Sequence, residues 1–148
     1  MRIAINCRFL IKHKLEGIGR FTYEIAKRLA EQHPEHEFIF LFDRKFSKEF
    51  IFAPNVEAKV IHPPARHPLL WRFWFEKSVP HALKQNRADI FLSPDGFLSL
   101  KTKVPTALVV HDLAFEHFPG SVPNNVASFY KKWSPKYAHR ANQIIAVS

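Results

Sequence analysis

A single cysteine, Cys7, stands in this chain of 148 residues. One thiol closes no internal disulfide and has no second Cys to share a metal with, so a disulfide scaffold and a zinc ribbon are both excluded and a reducing, cytoplasmic setting is expected. No window approaches the ~20 consecutive apolar residues of a membrane-spanning helix. The N-terminus, MRIAINCRFLI, is too short and too interrupted by Arg2, Asn6 and Arg8 to read as a signal peptide. Two nucleotide-binding signatures are also missing. Tyr23 and Glu24 follow Gly17 and Gly19 where G-x-G-x-x-G needs another Gly, which disfavours a nicotinamide-dinucleotide site, and no P-loop Lys-Ser or Lys-Thr pair follows this loop. Acidic residues are the scarcer sign: 13 Asp and Glu against 22 Lys and Arg leave a formal charge of +9, before any of the nine His is protonated. The excess implies an anionic partner without naming its kind.

What is present is globular. Hydrophobic residues make up 47% of the chain, enough for one domain with a sizeable core. Fifteen Phe, three Trp and three Tyr exceed ordinary packing needs, so some rings are expected on a binding face. Residues 2–6 read as a short strand and 19–32 as a helix with an apolar stripe at Phe21, Ile25, Ala26 and Leu29. EFIFLF, 37–42, is continuous and apolar, as a strand buried on both faces would be, and 56–61 is a weaker strand. A helix over 68–86, kinked or split at Pro80, carries Trp71, Trp74, Phe75 and Val79 on one face for burial against a sheet. DIFLS and VPTALVV are further strands. A last helix, 124–140, is expected to break near Pro135 and leads into QIIAVS, a short buried-strand pattern. Strands alternating with helices over short connections predict an α/β fold with a doubly wound parallel sheet. Ending on a β-type run suggests a piece of a longer protein.

Candidate site residues gather where strands end, because ligands of open α/β sheets sit outside the carboxyl ends of the strands. The apolar run before His111 and Asp112 stops there and gives way to an aromatic, Pro-bounded loop, AFEHFP. His111 could donate to a sugar hydroxyl or to developing charge, with Asp112 orienting it or gripping a ligand hydroxyl; the plainer alternatives are a structural His at a strand end and an Asx turn at Asp112. Their spacing, and that of His117, fits no usual zinc site. In the first strand-to-helix loop, Gly17 and Gly19 would let backbone approach an anion at a helix N-terminus, with Arg20 adding a charged bond; a plain tight turn is the alternative. After DIFLS, Asp95, Gly96 and Phe97 are candidates for holding a polar acceptor, Phe97 by stacking on a sugar face, although Pro94-Asp95-Gly96 is also an ordinary turn. Lys12, His13, Lys14, Arg44, Lys45 and Lys48 form loop clusters that are either simply solvated or in contact with an anionic acceptor.

Taken in order, MRIAINCRFL, GIGRFTYEIAKRLA, LLWRFWFEKSVPHAL, ADIFLSPDGFLSL, VPTALVVHDLAFEHFP and FYKKWSPKYAHRANQIIAVS resemble the N-terminal half of a GT-B glycosyltransferase of the family 4, or group 1, type. The resemblance spans essentially the whole chain. It implies one Rossmann-like domain of two, the acceptor side of an enzyme of polysaccharide biosynthesis. Such an enzyme transfers a sugar with retention from a nucleotide-sugar donor to a glycan or lipid-linked acceptor, with no metal or cofactor. It further implies that His111 lies near the transferred sugar and that the Gly17–Gly19 loop with Arg20 approaches the donor diphosphate. The nucleotide site, with a Glu pair and basic groups, would belong to a C-terminal domain absent from residues 1–148, leaving this chain alone inactive or nearly so. Nucleic acid is not an expected partner; a peripheral contact at the inner membrane face is compatible. The rival reading, from the charge and the aromatic helix around Trp71, is a non-enzymatic binding module for an anionic polymer or membrane surface.

Overall fold

A computed structural model of the chain describes residues 1–118, 120 and 122–147. Six strands, β1 (Arg2–Asn6), β2 (Glu37–Phe42), β3 (Val56–Val60), β4 (Ile90–Ser93), β5 (Thr106–Val110) and β6 (Gln143–Ala146), form one all-parallel sheet in the order β3-β2-β1-β4-β5-β6. The expected doubly wound α/β architecture is therefore present. β1 and β4 are neighbours, and the chain leaves them towards opposite edges, so the crevice outside Asn6 and Ser93 is the topological switch point.

Strand alternation divides the core into two layers. Phe38, Phe40 and Phe42 of β2, with Ile5, Leu92 and Val109, pack under α1 (Ile18–Gln32) through Ala26 and Ala30. Ile39 and Leu41, with Ala4, Phe91 and Leu108, face the other way. There they meet the stripe expected from helical spacing, with Trp74, Phe75 and Val79 buried and Trp71 partly buried against them, and Leu83 beyond it. A strand with apolar side chains in both directions can only be a central, doubly covered one, which is why EFIFLF is continuous.

The helix over 68–85 does not split at Pro80. It runs as α2 (Pro68–Phe73), a π-helical turn (Trp74–Ser78) and α3 (Val79–Gln85). The Val79 N–H donates to the Trp74 carbonyl, one residue further back than in an α-helix, so a widened turn immediately precedes Pro80. α5 (Asn124–Arg140) is likewise continuous through Pro135 rather than broken. Pro135 forfeits one backbone bond, while Phe129, Tyr130, Trp133 and Tyr137 around it pack on the core and hold the helix.

Two other expectations change. The segment after Asp112 is a short helix, α4 (Ala114–His117), rather than a loop; Pro119, which was to bound it, lies outside the described residues. β6 is an exposed edge strand, with Ile144 and Ile145 half open to solvent, because no helix covers its faces among the described residues; Ser148 lies outside them. Among the described residues no helix is long and apolar enough to cross a membrane.

Cys7 is fully buried beside β1, and burial pushes its thiol well above the usual range. The thiolate is the reactive form. Alkylation by iodoacetamide at neutral pH is expected to wait on opening of the structure and to become fast only in urea. Native labelling at the unfolded rate would contradict this placement.

Candidate functional site

The carboxyl ends of β4 and β5, the N-terminus of α1 and one face of α5 surround a cleft of about 200 Å3, lined in part by Ile18, Gly96, His111, Asp112, Phe115 and Tyr130. Segments nearly a hundred residues apart meet here because parallel strands bring their C-terminal loops to one edge.

His111 is half-buried at the end of β5. Its Nε2 lies 2.7 Å from the Pro94 carbonyl oxygen, and Phe21 meets the ring edge-on at 4.9 Å. A carbonyl only accepts, so Nε2 carries the proton and donates it. In the neutral ring Nδ1 is then an acceptor, able to take a hydrogen bond from a ligand hydroxyl. The neutral ring therefore cannot donate through Nε2 to a sugar, as one expected role required. Asp112 is exposed, and its Oδ1 accepts the Ala114 N–H at 2.9 Å, the Asx turn that starts α4. It does not hydrogen-bond His111.

Gly17 caps α1 at φ +45°, a backbone state that favours glycine. Gly19 is buried, and its role is contact: a Cβ there would lie 2.7 Å from the Phe9 carbonyl oxygen. In the first turn the Gly19 N–H bonds Glu16 and the Phe21 N–H bonds Gly17, while those of Ile18 and Arg20 find no backbone acceptor among the described residues. Arg20 places its guanidinium on Glu24 at 2.8 Å, along the solvent face of α1 and not in the cleft wall. Gly96, at φ +81°, lies in the wall.

Asp95 and Phe97 correct the acceptor-holding expectation. The Asp95 side chain is buried: Oδ2 pairs with Arg8 Nε at 2.5 Å, and Oδ1 accepts from Ser93 Oγ and the Phe97 N–H. Phe97 is 2% exposed and packs among Trp71, Phe75, Phe129, Tyr130 and Tyr137. The Asp95 carboxylate is spent on the ion pair and the Phe97 ring on the aromatic core, although Asp95 also lines this cleft and Phe97 a neighbouring one. The aromatic surplus is likewise mostly spent inside.

The same network holds Asn6, Arg8 and Ser93, none of them among the site residues expected from the sequence. Asn6 Nδ2 donates to Ser93 Oγ at 3.1 Å, and Asn6 Oδ1 accepts the Arg8 N–H, so a buried polar chain from Arg8 through Asp95 and Ser93 to Asn6 crosses the switch point. Polar residues ending an apolar run were the signal that selected His111, and they also mark Asn6 and Arg8. Tyr130, in the cleft wall, has its phenol pushed up by burial, with Arg8 opposing and Asp95 and Asp112 adding to the shift. Among the described residues, no three His, Cys, Asp or Glu side chains gather as a metal site.

The family model described as Glycosyltransferase Family 4 matches residues 15–148. The chain belongs to that family. Its sheet is the Rossmann-like half expected of a GT-B architecture. Among solved structures, E. coli heptosyltransferase WaaC with ADP is similar over 100% of this chain at 15% identity and a TM-score of 0.52; this chain covers 41% of that one. At that identity the likeness speaks to the fold. No curated protein matches the sequence. Within this Glycosyltransferase Family 4 chain, His111, Asp95, Gly96 and the start of α1 share one cleft; the Arg20 side chain lies along the helix surface and the Phe97 ring in the core.

Proposed function

We propose that this chain is the N-terminal, acceptor-side domain of a retaining glycosyltransferase. It would work with a C-terminal domain that holds a nucleotide-sugar donor, and transfer a sugar to a glycan or lipid-linked acceptor without a metal or other cofactor. Family membership over residues 15–148 carries the reading, and the switch-point cleft supports it. A glycosyl transition state gathers positive charge on the sugar and negative charge on the departing diphosphate. The unpaired first-turn N–H groups of α1, with Gly17 leaving the backbone bare, suit the diphosphate; His111 Nδ1 suits a sugar hydroxyl. Asp112 shapes the loop that presents His111. A peripheral contact at the inner face of a membrane belongs to the same reading, supported by the exposed Leu69, Leu70 and Phe73 of α2.

The deciding experiment is calorimetric titration of UDP, GDP and their sugar conjugates into residues 1–148 and into a longer chain continuing past Ser148. Tight binding by the longer chain alone is expected; equal binding by residues 1–148 would place the nucleotide site here and refute the division of labour. In the longer chain, His111→Ala is expected to lower transfer at least tenfold, about 1.4 kcal/mol of transition-state stabilisation. Wild-type turnover would remove His111 from the site.

A further inference from the structure

A second cleft, of about 290 Å3, opens at the same edge of the sheet beyond β1, β2 and β3, with Tyr130 shared between its wall and that of the first. Three arginines line it, one after each strand: Arg8 after β1, Arg44 after β2 and Arg66 after β3, against Trp71 and Phe97. We propose that this is an oxyanion subsite that takes a phosphate or carboxylate group carried by the acceptor, a proposal that rests on the acceptor-side reading above.

Arg8 is the decisive observation. The residue is only 5% exposed, with its guanidinium carbon 4.8 Å from the Phe9 ring, 5.9 Å from Trp71, 5.3 Å from Phe75 and 4.7 Å from Phe97. Only Nε is taken, by Asp95. Among the described residues no protein oxygen accepts from Nη1 or Nη2, and the residue lines the cleft. Arg44 is held by Asp43 through Nε and Nη2, both at 2.6 Å, which keeps it firmly cationic and leaves Nη1 free of that carboxylate. The buried Asp43 also accepts the Ala65 N–H at 2.8 Å and so ties the Arg44 loop to the Arg66 loop. Arg66 is exposed and has no carboxylate partner among the described residues.

The chemistry follows from that arrangement. A buried ion pair is no gain over apolar packing for stability alone, so stability does not explain keeping Arg8 here. The carboxylates hold two of the guanidinium groups and fix their planes, and Arg66 adds to the same lining a positive charge that no carboxylate balances among the described residues. Rigid guanidinium forks match the paired oxygens of phosphate or carboxylate, and the aromatic walls lower the local dielectric in which those bonds act. Neutral sugars offer no such charge.

The test is titration of sodium pyrophosphate, glucuronate and glucose into this chain, read by fluorescence of Trp71 in the cleft wall. Farnesyl phosphate in phosphatidylcholine vesicles, against plain vesicles, separates a lipid-borne group from a soluble one. Pyrophosphate, glucuronate or the farnesyl phosphate vesicles are expected to bind, and Arg66→Ala and Arg44→Gln each to weaken that binding about tenfold or more, as loss of a charged hydrogen bond predicts. Lys27→Ala, which removes a charge on α1, is expected to change nothing. Binding of no anion, binding weakened equally by Lys27→Ala, or glucose bound as well as the anions would overturn the subsite. Neither nucleotide affinity nor transfer enters this readout, so its failure leaves the glycosyltransferase reading standing, and the reverse.

Discussion

Asp95→Ala is expected to destabilise the chain by about 3–5 kcal/mol, the cost of leaving a buried charge without its partner. Arg8 and Asp95 are respectively 5% and 4% exposed, and Asp95 is the only carboxylate within ion-pair distance of Arg8 among the described residues. The substitution also takes an acceptor from Ser93 Oγ and from the Phe97 N–H, loosening the link through Ser93 and Asn6 that joins β4 to β1. Urea unfolding followed by tryptophan fluorescence reads the loss directly. The partner effect separates the ion pair from simple loss of volume. In an Arg8→Met background Asp95→Ala is expected to cost less than half as much, because no charge is then stranded. Equal costs in both backgrounds would mean that Arg8 finds another counter-charge or solvent.

Much of this fold is legible in the sequence because its signals are local. EFIFLF has apolar side chains for two faces, and the Trp74, Phe75 and Val79 stripe repeats at helical spacing; both lie where those patterns require. What the sequence hides is non-local. Pro94-Asp95-Gly96 reads as a turn and is one, through the Asp95 Oδ1 bond to the Phe97 N–H, but nothing nearby announces that Oδ2 meets an arginine 87 residues away. Phe97, flanked by turn residues, reads as an exposed ring; helix α5 comes back over it and buries it. Pro135 reads as a break because propensity is local, whereas the aromatic packing that carries α5 through it is tertiary. His111 was legible as a position at a strand end. Its hydrogen-bond polarity was not, since that depends on the Pro94 carbonyl of a neighbouring strand's loop.

Gly19→Ala couples the fold to the site. The added methyl would meet the Phe9 carbonyl oxygen at 2.7 Å, and because the obstacle is backbone, no side chain can rotate out of the way. Overpacking of this kind costs about 1–3 kcal/mol, and for a chain this size each kcal/mol lowers Tm by about 2–4 °C. Relief comes by moving the start of α1 away from the loop after β1. That movement carries Ile18 in the cleft wall and Phe21, whose ring meets His111. The variant is therefore expected both to melt earlier and to shift the His111 ring signals in a 1H–15N spectrum. Gly17→Ala is the informative contrast. Its Cβ meets nothing within 4 Å, so the roughly 1–3 kcal/mol it costs is strain at φ +45° alone, with α1 and the His111 signals left in place. If Gly19→Ala lowers Tm without moving those signals, the loop after β1 absorbs the methyl and the helix does not set the geometry of the cleft.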